Sequence, residues 1–129
     1  MFRIHEQQVQ RFDEIAKADY RQRLCAYLGS EFPECFDEMS PEQIEMWTKE
    51  AISKAEQYKI ATEPETTQTV LLLLLLGLDA DETLPWFGEI LRRNDVYAVG
   101  KVRLLLDAAR QNSISGIDRM DLGLTSPEI

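Results

Sequence analysis

VLLLLLLGL, from Val70 to Leu78, is the stretch that decides the fold of this chain. At about 100° per residue, six consecutive leucines point in every direction around a helix, and such a helix is normally buried on several sides. Leucine favours the helix, and the sequence offers no second strand with which the run would pair. The run therefore predicts the central helix of an all-α protein, and any strip of it left uncovered would be a docking surface.

The apolar run is too short to cross a membrane. Val70 to Leu78 is nine residues, whereas a membrane-spanning helix needs about 20. Threonines and Gln68 precede the run, and Asp79, Asp81 and Glu82 follow it, so neither flank extends the apolar span. We therefore expect no membrane span.

Start and stop signals on both sides of the run predict the other helices. Ser40 and Gln43 have the spacing of a capping box, with Pro41 at the first helical position. The leucine helix opens at Thr62, where a proline again follows a capping residue. By pattern, the remaining helices cover about residues 5–30, 40–59, 83–91 and 94–111. Gly100, inside the last of them, predicts a close helix crossing.

The predicted fold is thus all-α, a compact bundle of four to five helices with the leucine-rich helix at its centre. Residues 1–112 are expected to form a single helical domain. After Gln111 the helical periodicity is lost, which predicts a flexible or partner-docking tail over residues 113–129. The apolar positions of this tail are Ile114, Ile117, Met120, Leu122 and Leu124.

Charge and cysteine content exclude several functional classes. A net charge of −9 over 129 residues argues against nucleic-acid binding, which depends on Lys and Arg that neutralise phosphates. It also disfavours adhesion to an anionic membrane surface. Cys25 and Cys35 lack a CxxC spacing and are interpreted as reduced thiols, and the polar N-terminal stretch lacks the apolar region of a signal peptide. A cytoplasmic protein is expected.

No catalytic constellation is evident in the sequence. His5 is the one histidine, so a site with two histidines is impossible and a Cys-His nucleophile would rest on a residue near a terminus. The acidic run from Asp79 to Glu82 lacks the length and the glycine of an EF-hand loop. We interpret Asp81 and Glu82 as carboxylates near a helix N-terminus, where negative charge is favourable. The protein is therefore predicted to be a non-enzyme without metal or cofactor.

A binding role is what these exclusions leave, and two places in the sequence are candidates for it. Pro85, Trp86 and Phe87 form one cluster, which is interpreted first as packing and second as an interface anchor. The apolar residues of the tail form the other.

Several short motifs together resemble a known group of proteins. Phe32-Pro33-Glu34 ends the first helix, Tyr58, Ile60, Thr62 and Glu63 form a Tyr-x-Ile-x-Thr-Glu step, and an Asp-x-Asp loop precedes a Pro-Trp pair. Over roughly residues 1–110, this order is similar to small all-helical proteins encoded beside type VI secretion effectors, spike proteins and their loading adaptors. The resemblance implies a cytoplasmic co-chaperone that joins an adaptor to load an effector.

Two other roles stay open at this point. An immunity protein that plugs a toxin's active site or basic surface would suit the charge of −9. A helical domain unrelated to secretion is the third. The expected partner is accordingly a protein: an effector, an adaptor, a toxin or a second copy of the chain.

Truncation after Gln111 tests the tail. Ordering a tail of this length costs about 1 to 2 kcal/mol per residue in backbone entropy, so we expect it to order only against a partner. The truncated chain should keep its melting temperature and lose affinity for the effector, adaptor or second protomer. Full affinity after truncation would contradict this prediction.

Overall fold

The computed structural model describes residues 2–114, and the side chains of residues 16–114. All regular secondary structure in this range is helical. The elements are α1 (Phe2–Glu31), a 3₁₀-helix (Pro33–Cys35), α2 (Pro41–Gln57), α3 (Glu63–Leu76), α4 (Ala80–Thr83), α5 (Pro85–Leu91) and α6 (Ala98–Gln111). The predicted all-α class is therefore confirmed for the described part of the chain.

Of the described residues, those up to Thr48 form one compact unit and those from Lys49 to Ile114 belong to a second. The boundary falls inside α2, which is one continuous helix. The single domain over residues 1–112 stays a prediction, and each unit is described by itself.

In the first unit, α1 buries one stripe of side chains. Tyr20, Leu24 and Leu28 recur at four-residue steps and are at most 5% exposed, as expected for an amphipathic helix. The amide of Phe32 donates to the carbonyl of Leu28 at 2.9 Å, and Pro33 follows, so the helix ends close to the predicted position.

The start of α2 is the capping box that the sequence predicts. The amide of Ser40 donates to Oε1 of Gln43 at 2.8 Å, and the amide of Gln43 donates to Oγ of Ser40 at 3.2 Å. Two backbone donors at the helix start are satisfied in this way. Trp47, six residues into this helix, packs edge-on against buried Phe36 with ring centroids 5.6 Å apart.

In the second unit, the leucine run is buried along half of its length. Val70 to Leu73 are at most 1% exposed, whereas Leu74 to Leu76 are half-buried. The helix that carries them, α3, has 14 residues, and among the described residues no helix is both long enough and apolar enough to cross a bilayer. α3 contacts α6, and α5 contacts α4 and α6.

Two boundaries differ from the sequence-based expectation. The sequence predicts no helix between the leucine run and residue 83, but most of α4 lies there, a single helical turn in which Ala80 and Asp81 are buried. The last helix begins at Ala98 and not at Asn94–Asp95. The predicted start was wrong because Asp95 pairs with Arg93 at 2.6 Å and caps no helix.

The close helix approach lies at Gly88 and not at Gly100, so that prediction was also wrong. A Cβ at Gly100 would meet the side chain of Val96 at 3.4 Å, which is ordinary contact. A Cβ at Gly88 would lie 2.2 Å from the carbonyl oxygen of Asp81. Only glycine lets α5 pack this closely on the backbone of α4.

Both α2 and α6 end in a Schellman motif whose left-handed residue is not glycine. The left-handed residues are Lys59, at φ 66°, and Ser113, at φ 55°. After α6, the amide of Ile114 donates to the carbonyl of Ala109 at 3.1 Å, which is the outer bond of the motif. Ile114 was assigned to the tail, but its backbone completes the end of α6.

Aspartate substitutions at neighbouring leucines test the packing of α3. Leu73→Asp should unfold the second unit at neutral pH, because an isolated buried carboxylate costs several kcal/mol. Leu74→Asp should be tolerated better, since Leu74 is half-buried. Circular dichroism during urea unfolding measures both variants, and equal loss of stability at the two positions would contradict the packing described.

Candidate functional site

The three residues of the first predicted cluster differ in their exposure to solvent. Pro85 is exposed and begins α5, Trp86 is half-buried, and Phe87 is fully buried. The two aromatic rings meet edge to face with centroids 5.7 Å apart. Phe87 is therefore a packing residue, as the first interpretation held, and only Pro85 and part of Trp86 are accessible to a partner.

The second predicted cluster lies largely beyond the described range. Ile114 is half-buried at the end of α6. Ile117, Met120, Leu122 and Leu124 lie outside the described residues.

A buried polar cluster surrounds Asp81, which the sequence predicts to lie near a helix N-terminus. Asp81 is 4% exposed and accepts hydrogen bonds from Nζ of Lys54 at 2.9 Å and from the hydroxyl of Tyr58 at 2.5 Å. Its backbone carbonyl also accepts a bond from Arg92 at 3.1 Å. Asp81 lies in the first turn of α4, near a helix N-terminus as the sequence predicts. The sequence did not show that these donors hold its side chain inside.

The cluster shifts the acidity of its members. Burial acts to raise the pKa of Asp81, but the hydrogen bonds from Tyr58 and Lys54 outweigh it, and the pKa lies below its ordinary value. Burial and the bond to Asp81 raise the pKa of the Tyr58 hydroxyl. Both shifts keep Asp81 charged and Tyr58 neutral, which is the pairing that the hydrogen bond requires.

Lys101 extends the cluster to α6. Its ammonium donates to the carbonyl of Tyr58 at 2.8 Å, and the residue is 4% exposed. Burial and the charge of Lys59 lower its pKa. Tyr58 thus connects Asp81, through its hydroxyl, with Lys101, through its carbonyl.

Next to this cluster, the N-cap residue and the first turn of α6 present apolar side chains to solvent. Tyr97 is 91% exposed and Val99 is 51% exposed. Tyr97 lines a cavity of about 210 Å³, and Val99 lines a second one of about 290 Å³. We call Tyr97, Val99 and these two cavities the α6 surface.

The two cavities differ in their linings. The first is lined by Lys59, Arg93, Asn94, Val96, Tyr97, Ala98 and Lys101. The second is lined by Glu65, Gln68, Val99, Arg103 and Leu106, and thus by side chains of α3 and α6. One cavity is therefore basic, and the other is a mixed groove between two helices.

Sequence reasoning missed the α6 surface. Val99 lies within the helix predicted over residues 94–111, and no motif in the sequence marks Tyr97. The sequence feature that marks this surface is the absence of any acidic residue in the first turn of α6.

Within the described residues, no three His, Cys, Asp or Glu side chains come together as a metal site would require. Cys25 is half-buried, Cys35 is exposed, and both are free thiols. The side chain of His5 lies outside the described range. No family model, curated protein or solved structure matches this chain.

Replacement of Asp81 tests the polar cluster. Asp81→Ala should destabilise the protein by about 1 to 3 kcal/mol, because it leaves Tyr58 and Lys54 without an acceptor. Asp79→Ala, at an exposed neighbour, is the matched control and should change stability by less than about 0.5 kcal/mol. Urea unfolding at pH 7 measures both, and equal effects would contradict the cluster's role.

The same cluster predicts that the stability of the folded protein depends on pH. Because the pKa of Asp81 is lower in the folded state than its ordinary 3.8, its contribution is complete above that pH and is lost as the pH falls through the folded-state value. Asp81→Asn should therefore show a flatter decline in stability below about pH 4 than the wild type. Parallel declines would exclude Asp81 as the source.

Proposed function

We propose that this chain is a non-enzymatic, cytoplasmic protein-binding accessory factor and that the α6 surface is its contact site. The supporting observation is the 91% exposure of Tyr97 beside a cavity that it lines. Exposed tyrosines are enriched at protein interfaces because one ring supplies both apolar area and a polar tip.

The surroundings of Tyr97 suit a contact of that kind. Val99 adds a second exposed apolar side chain within the same turn, and the two cavities would accept side chains of a partner. Binding energy at interfaces is concentrated in a few residues that fill such depressions, while the rim contributes less. Pro85 and the accessible part of Trp86 are proposed as secondary contacts.

The more specific role that we propose is loading of a type VI secretion effector, together with an adaptor. Its support is the order of motifs from Phe32-Pro33-Glu34 to Pro85-Trp86. With it we propose a compact bundle with α3 as the central helix, which the burial of Val70 to Leu73 supports. The tail residues Ile117 to Leu124 are proposed to order against the partner.

Inhibition of a toxin is the second candidate, and the net charge of −9 is what favours it. An acidic chain suits a basic toxin surface, since complementary charge raises association rates and suppresses wrong partners. Whether the protein recovered with this chain is an effector, an adaptor or an inhibited toxin separates the two candidates.

Co-purification from the native host tests the proposal. Wild type and a Tyr97→Ser/Val99→Ser variant are tagged, and the captured proteins are identified by mass spectrometry. We expect the variant to lose its partner by about tenfold or more, because two interface anchors typically supply over 1.4 kcal/mol together. Met46→Ser is the control, since Met46 is 63% exposed but lies on α2. Equal capture by all three proteins would exclude the α6 surface.

A further inference from the structure

The basic cavity of the α6 surface has a lining without a carboxylate. Lys59, Arg93 and Lys101 supply three positive charges to it, and none of the lining residues is acidic. This is unusual in a chain with a net charge of −9. The cavity is therefore a local positive site in an acidic protein.

One of the three charges is already neutralised. Arg93 donates two hydrogen bonds to the carboxylate of Asp95, at 2.9 and 2.6 Å, and this guanidinium lowers the pKa of Asp95 to about 2. Because Asp95 is held by Arg93, it does not serve the lysines of the cavity.

The two lysines have no such counter-charge. Among the described residues, no carboxylate lies within salt-bridge distance of Lys59 or Lys101. Lys101 is 4% exposed, and its ammonium makes one hydrogen bond, to the carbonyl of Tyr58. A buried ammonium has three donors and normally requires an anionic partner, so this charge is incompletely compensated.

The backbone adds to the positive field. The cavity includes Ala98, the first residue of α6, a helix of 14 residues. Tyr97 caps this helix without a side-chain hydrogen bond, and no acidic residue lies in the first turn. The first amide that bonds back to the helix start is that of Lys101, to Tyr97 at 2.9 Å. Of the earlier amides, that of Ala98 belongs to a residue lining the cavity and has no backbone acceptor, so it can donate to an anion.

We propose that this cavity is an oxyanion-binding site, which takes a carboxylate or a phosphate group. Lys59 and Lys101 supply charge, and the amide of Ala98, the one residue of the first three in α6 that lines the cavity, supplies a directional donor. A volume of about 210 Å³ holds such a group with some of its hydrating water. The inference goes beyond the proposed function and does not depend on it, since it uses the charges of the cavity and not the apolar side chains.

Carboxylate and phosphate share the chemistry that the cavity recognises, and two probes separate them. Sodium phosphate and sodium acetate are titrated separately into ¹⁵N-labelled full-length protein at constant ionic strength. We expect saturable amide shifts at Ala98 and Lys101, which line the cavity, with at least one probe. Saturation with phosphate alone assigns a phosphate group, and saturation with acetate alone or with both assigns a site that accepts carboxylates.

Matched variants decide whether the cavity is responsible. Lys59 is exposed, so Lys59→Gln should fold normally and weaken binding by about tenfold through loss of one charge-assisted contact. Lys101→Met should weaken it further if the variant folds. Arg103→Gln removes a positive charge from the same helix but from the other cavity, and it should leave the affinity unchanged.

Three results would overturn the inference. The first is the absence of saturable shifts at Ala98 and Lys101 with either probe. The second is a Lys59→Gln affinity equal to that of the wild type. The third is an equal loss of affinity in Lys59→Gln and Arg103→Gln, which would indicate general charge screening. None of these results bears on partner capture through Tyr97 and Val99, so failure of this inference and failure of the proposed function are separately visible.

Discussion

The second unit depends on the buried carboxylate of Asp81. Its two oxygens receive the hydroxyl of Tyr58 and the ammonium of Lys54, and its backbone carbonyl receives Arg92. The same carbonyl lies where a side chain on residue 88 would lie. One residue of a single-turn helix therefore fixes the end of α2 and the approach of α5. Removing it would leave buried donors without partners, which costs more than the net gain of the bonds themselves.

The hydrogen bonds of Asp81 also help to position the α6 surface, because Tyr58 links Asp81 to Lys101. Because the hydroxyl of Tyr58 is bound to Asp81, its carbonyl is held where Lys101 donates to it. That contact anchors the first turns of α6, and with them Tyr97 and Val99. The surface that we propose for binding thus projects from a hydrogen-bonded polar support. A contact site on such a support loses less conformational entropy on association than one on a mobile loop.

Charge is distributed unevenly over the protein. The chain carries −9 in total, yet the cavity beside Tyr97 contains two lysines without a carboxylate. A local positive site attracts one anionic group, while the acidic remainder of the chain repels large anionic surfaces. This combination favours selective over nonspecific binding. An apolar ring at the edge of this site suits a partner segment that combines an acidic group with an apolar neighbour.

The sequence by itself determined the helical class, the capping box at Ser40 and the start of α3. These features depend on residues within one or two helical turns of each other, and short-range signals are readable along the chain. Only the tertiary structure decided that Asp81 lies inside, that Gly88 marks the close approach, and that Lys101 is buried while Tyr97 is exposed. The deciding bonds join residues 27 and 43 positions apart, and no local pattern shows which charged side chain will find such a distant partner.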